Sequence, residues 1–134
     1  MSIGLLIITH NQLGADLLDT ATSMLEHIPL PARVISITQD SDMENSLGEA
    51  RRIADEVRGE GGLLVLTDAY GSSPSNIANL LRESAGVEVV AGVNLPMLIR
   101  IFNYPGLPLD EMARAAAAGG RAGVVLCGER DGEG

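Results

Sequence analysis

Aromatic side chains are nearly absent from this 134-residue chain, which has no tryptophan, two tyrosines (Tyr70 and Tyr104) and one phenylalanine, Phe102. Stacking on single-stranded nucleic acid depends on such rings. Basic charge is equally short: 9 Lys and Arg face 18 Asp and Glu, a formal net charge of −9. No basic run relieves that balance, so capture of a phosphate backbone is poorly supplied and nucleic acid is set aside as the main partner. The single cysteine, Cys127, has no internal disulfide partner, which fits a reducing compartment. It stands in a late apolar stretch and reads as a small core residue. No apolar run approaches the ~20 residues of a spanning helix, and Met1-Ser2-Ile3-Gly4 lacks the positive start of a signal peptide. A cytoplasmic protein without direct membrane insertion is expected.

Several site chemistries are missing too. There is no G-x-x-x-x-G-K-[ST] loop, and no G-x-G-x-x-G follows the first apolar run, so nucleotide binding has no loop to use. Two histidines and one cysteine, far apart, make no metal site. Gly71-Ser72-Ser73 is not a G-x-S-x-G elbow, and no second histidine is suitably placed as a general base.

What is present is a soluble globular composition, 46% hydrophobic and 20% charged, with a length suited to one domain over residues 1–134. Ile3 to Thr9 is an almost unbroken apolar run that stops at His10, as expected of a strand buried on both faces of a parallel sheet. Leu17, Leu18, Ala21, Met24, Leu25 and Ile28 share one helix face, and Pro29 and Pro31 end that helix. His27 lies near its end, where it suits the helix dipole. Arg33 to Thr38 reads as a second strand, and Ser41 with Glu44 matches a capping box for a helix through Val57. Gly62 to Thr67 is a third strand, followed by a polar cluster and a helix with Ser73 as N-cap and Pro74 at its first position.

A fourth strand over Val87–Val93 leads to Asn94-Leu95-Pro96-Met97 and a short helix. An alanine-rich helix follows, then a short last strand over Gly123–Cys127. Strand and helix alternate, so the expected fold is α/β: a single doubly wound domain with four parallel strands and helices on both faces.

In sheets of this kind ligand chemistry gathers beyond the carboxyl ends of the strands, and the first and third strands commonly flank the switch point. That brings His10 beside the segment from Asp68 to Ser73. Asp68 suits two tasks: holding one imidazole nitrogen so that the other keeps a free lone pair, or capping its own loop. Ser73 likewise suits a helix cap or, with the N–H groups of Gly71, Ser72 and Ser73, a seat for a phosphate. Asn94, Pro96 and Met97 form a candidate pocket wall or a simple turn.

Three segments, in this order, give the chain a family likeness: Thr9-His10 at a strand end, Thr67 to Asn76, and Ala91 to Leu98. Over nearly its whole length the chain resembles the IIA component of the mannose-type phosphotransferase system. The resemblance implies that His10 takes a phosphoryl group from the phosphocarrier protein HPr and passes it to a IIB component. It implies that Asp68 bonds the unphosphorylated ring nitrogen and that Ser73 binds the phosphoryl oxygens, with no organic cofactor or metal. It also implies a homodimer in which the C-terminal strand pairs antiparallel with the partner's sheet. Ser72 and Asn11 stand where the family usually has glycine, and Ser75 where it has a large apolar residue. These departures alter the docking rim and lean toward a second reading, a regulatory module whose His10 phosphorylation controls partner binding without sugar transport. A third is a phosphotransfer subunit serving a dihydroxyacetone kinase.

Overall fold

Leu5, Leu6, Ile7 and Ile8 are four successive side chains with no exposed surface. Successive strand residues point to opposite faces, so this run requires cover on both sides of the sheet. The computed structural model describes residues 2–128 and supplies that cover. Its elements run β1 (Gly4–His10), α1 (Leu13–Leu25), β2 (Ala32–Ile37), α2 (Met43–Val57), β3 (Leu63–Thr67), α3 (Ser73–Leu81), β4 (Val87–Ala91), α4 (Leu95–Asn103) and α5 (Leu109–Ala122).

The four strands are parallel in the order β2-β1-β3-β4. Leu5, Ile7, Leu64 and Leu66 pack on one face with Ala21 of α1, Leu98 and Ile101 of α4 and Met112 of α5. Leu6, Ile8, Leu63 and Val65 pack on the other with Ile53 and Val57 of α2 and Ile77 and Leu81 of α3. Each such side chain contributes about 1.5–3 kcal/mol of burial, so the two central strands anchor both layers. Gly4 has no side chain because the end of α2 lies on it: a Cβ there would stand 2.0 Å from the Val57 carbonyl oxygen.

The expected α/β fold and its four parallel strands are therefore present, with β1 and β3 adjacent. Two helix starts differ from expectation. Asp42, not Ser41, caps α2 by accepting the Asn45 N–H at 3.3 Å. Ser41 turns back instead, its hydroxyl accepting the Thr38 N–H at 2.9 Å. At α3 the cap is Ser72, and Ser73 is already helical.

The expected last strand, over Gly123–Cys127, is not formed among the described residues of the single chain. Residues 124–126 pair with no strand among the described residues, and Val124, Val125 and Leu126 are 79%, 43% and 70% exposed. Apolar, β-branched residues favour a strand only where another strand's N–H and C=O groups meet theirs, and none of the described residues does so here. Cys127, expected in the core, is exposed for the same reason.

Candidate functional site

β1 ends on His10 and β3 on Thr67, and because these strands are neighbours the next residue of β3's chain, Asp68, lies beside His10. Asp68 Oδ2 accepts the His10 backbone N–H at 2.9 Å and lies 2.8 Å from the ring's Nδ1. Asp68 Oδ1 accepts the Ala69 N–H at 2.8 Å. An ionised carboxylate only accepts, so in the neutral ring Nδ1 carries the proton and Nε2 keeps its lone pair.

Burial alone would raise the Asp68 carboxyl. Donation by the His10 backbone N–H, the His10 ring and the Ala69 N–H outweighs it and holds the group below the usual carboxylate range. The two side chains differ in exposure, 49% for His10 and 11% for Asp68, so a sheltered anion orients a ring that reaches solvent.

His10 opens onto a cavity of about 400 Å³ lined also by Asn11, Ile37, Thr38, Ser41, Met43 and Ser73. Ser73, in the first turn of α3, is exposed there. Gly71 reaches φ +88°, a left-handed backbone that glycine adopts without strain. Ser72 is less available: its hydroxyl donates to the Ala69 carbonyl at 2.6 Å and its N–H to the same oxygen at 3.1 Å.

Asn94, Pro96 and Met97 do not line this cavity. Asn94 caps α4, accepting the Met97 N–H at 3.0 Å and donating to the Gly120 carbonyl at 3.0 Å. Met97 is buried, and Pro96 sits in the first turn of α4, where Gly123 closes on it. Asn94 and Met97 instead border a cavity against α5. The wall is formed instead by the β2–α2 loop and the first residue of α2, within Thr38 to Met43, which the sequence does not single out. Its position beyond the carboxyl end of β2, next to β1, was the available signal. His27 stands apart from the site, with Nδ1 3.0 Å from the Leu25 carbonyl. Among the described residues no three His, Cys, Asp or Glu side chains are grouped to hold a metal ion, and no helix is long and apolar enough to cross a membrane.

Known proteins resemble this chain in sequence and in fold. The family described as the PTS system fructose IIA component matches residues 4–114. The mannose-specific EIIAB component of the phosphotransferase system from Escherichia coli K12 is 29% identical over 130 residues. That alignment takes in 92% of this chain but 39% of the relative, so the chain spans about two-fifths of the length of the curated relatives it matches. Among solved structures, the mannose/sorbose-specific IIA subunit from Enterococcus faecalis superposes with a TM-score of 0.82 at 25% identity, over 94% of this chain and 95% of that one. The EIIA component from Streptococcus agalactiae shares the fold at a TM-score of 0.81 and 20% identity, over 92% and 96% of the two chains. With its α/β fold, its parallel sheet and a family match over most of its length, this chain belongs to the mannose-type IIA components of the phosphotransferase system.

Proposed function

We propose that the protein is a phosphocarrier, in which His10 accepts a phosphoryl group from phosphorylated HPr and passes it to a IIB component. The observation that carries this reading is the His10–Asp68 pair, with Nδ1 2.8 Å from the sheltered carboxylate and the ring half exposed. The Nε2 lone pair attacks phosphorus in line, and the bond from phosphorus to the donor's histidine breaks. Its electron pair stays on the donor ring. His10 then carries positive charge shared with Nδ1–H, which the Asp68 carboxylate stabilises. The Ser73 hydroxyl and the start of α3 favour the phosphoryl oxygens, and the reverse sequence discharges the group.

The surface around His10 suits a protein partner. Leu13, Met43 and Tyr70, which follow β1, β2 and β3, are 45%, 40% and 84% exposed. Asp40, Asp42 and Glu44 are exposed on the β2–α2 side, so a partner with a basic face fits. The test is to mix the protein with phosphoenolpyruvate, enzyme I and HPr and weigh it intact. Wild type and His27→Ala gain one acid-labile phosphoryl group and His10→Ala gains none. Equal labelling of His10→Ala would end the proposal.

The same reading includes a homodimer with exchanged C-terminal strands. β4 is an open edge of the sheet, a groove runs between it and α5, and Val124 to Leu126 lie exposed beyond α5. Pairing with a partner's strand would cover both. Sedimentation should give a dimer for the full chain and a monomer after truncation at Ala122; a dimeric truncation would refute the exchange.

A further inference from the structure

Three residues, His10 to Gln12, carry the chain from the last position of β1 to the N-cap of α1, and His10 is the first. Asn11, the second, holds φ +49°, a left-handed backbone uncommon outside glycine. Gln12, the third, occupies the N-cap of α1 yet gives the helix no side-chain hydrogen bond. The start of α1 therefore needs another acceptor for its free N–H groups.

Thr9 supplies one from the neighbouring strand. Its hydroxyl oxygen accepts the N–H of Gly14, the second residue of α1, at 2.7 Å, and its proton points to the His10 carbonyl at 3.3 Å. The side chain is fully buried. Gly14 makes this approach possible: a Cβ there would lie 2.9 Å from the Thr9 hydroxyl and 3.0 Å from Ile7 Cγ2. A single hydroxyl thus fastens the end of β1 to the start of α1, and the carbonyl of His10 between them. Asn11 is tied separately, its N–H donating to the Ile37 carbonyl at 2.9 Å.

We infer that Thr9 is a positioning residue for phosphoryl transfer at His10, holding the 10–12 backbone so that the ring keeps Nδ1 on Asp68 and presents Nε2 outward. The transfer part of this inference rests on the phosphocarrier reading; the ring-orientation part does not. Thr9 touches neither the ring nor the phosphoryl group. It acts through the backbone that carries the ring, where displacement of a reacting atom by about an ångström costs up to ~100-fold in rate.

The test uses the full chain as wild type, Thr9→Val and Thr9→Ser. Valine keeps the shape and removes the hydroxyl; serine keeps the hydroxyl and removes the methyl. Long-range proton–nitrogen spectra of isotope-labelled protein, with His10 neutral, read which ring nitrogen holds the proton, and His27 serves as the internal control. Wild type and Thr9→Ser show one His10 tautomer, protonated at Nδ1, while Thr9→Val shows a mixture. In transfer from phosphorylated HPr, Thr9→Val loses about tenfold or more in kcat with KM little changed, and Thr9→Ser recovers most of it. A Thr9→Val protein that melts earlier but keeps the wild-type tautomer and kcat would overturn the inference. So would Thr9→Ser failing as badly as Thr9→Val. If the wild type accepts no phosphoryl group while the tautomer still responds to Thr9→Val, the phosphocarrier reading falls and the ring-orienting role stands.

Discussion

Asp68→Asn is the substitution that most sharply separates orientation from packing. The wild-type carboxylate accepts three hydrogen bonds at 2.8–2.9 Å, from the His10 N–H, His10 Nδ1 and the Ala69 N–H. An amide keeps the shape but has only one acceptor atom. If its oxygen faces His10, its NH₂ meets the Ala69 N–H donor; if it flips, NH₂ meets both His10 donors. One mispaired donor in a group only 11% exposed costs about 1–3 kcal/mol of stability. Transfer suffers further, because the imidazolium that forms loses its anion and the ring is free to protonate Nε2. A charge-assisted hydrogen bond worth about 1.5–3 kcal/mol corresponds to roughly 10- to 150-fold in rate.

The pH dependence gives an independent check. The folded Asp68 carboxyl lies below its usual range, so the folded state binds fewer protons there than the unfolded chain. Its stabilisation is complete above the unfolded pKa and is lost as pH falls through the folded one. Urea denaturation at stepped pH should therefore show the gap between wild type and Asp68→Asn at full size near neutrality and closing in acid. A gap that widens in acid, or a variant that transfers at the wild-type rate, would refute the reasoning.

Ser73→Ala should leave the melting temperature nearly unchanged, since the side chain is exposed, while transfer slows about tenfold from loss of one donor to the phosphoryl oxygens; single-turnover kinetics check it. Ser75→Ala should stabilise the fold by about 1–2 kcal/mol in urea, because the Ser75 hydroxyl is fully buried and finds no hydrogen-bond partner among the described residues. Gly4→Ala should cost about 3 kcal/mol or more, or prevent folding, because its Cβ would collide with the Val57 carbonyl; circular dichroism and soluble yield report it.

The layered fold was legible because the central strands announce themselves. Leu5 to Ile8 and Leu63 to Leu66 are apolar without alternation, and only a sheet covered on both sides buries them all. The adjacency of β1 and β3 then brought Asp68 to His10 across 58 residues. Local punctuation was less readable. Ser72 and Ser73 are chemically equal caps ahead of Pro74, and proline tolerates either of the first two helical positions, so the start of α3 was expected one residue late. Asp42 won over Ser41 because the serine hydroxyl was already engaged with Thr38. The Val124–Leu126 segment has strand-like residues, but a strand exists only as a pairing, and among the described residues none pairs with it. Thr9 stands in the sequence only as the end of an apolar run, and its bond to Gly14 exists only once α1 has packed on β1.

The most direct test of the phosphocarrier account is phosphorus and nitrogen NMR of the protein after phosphorylation by HPr. The account predicts one phosphohistidine, at His10, with phosphorus bonded to Nε2 and a proton retained on Nδ1. A phosphoryl group on Nδ1, or on any residue other than His10, would contradict it.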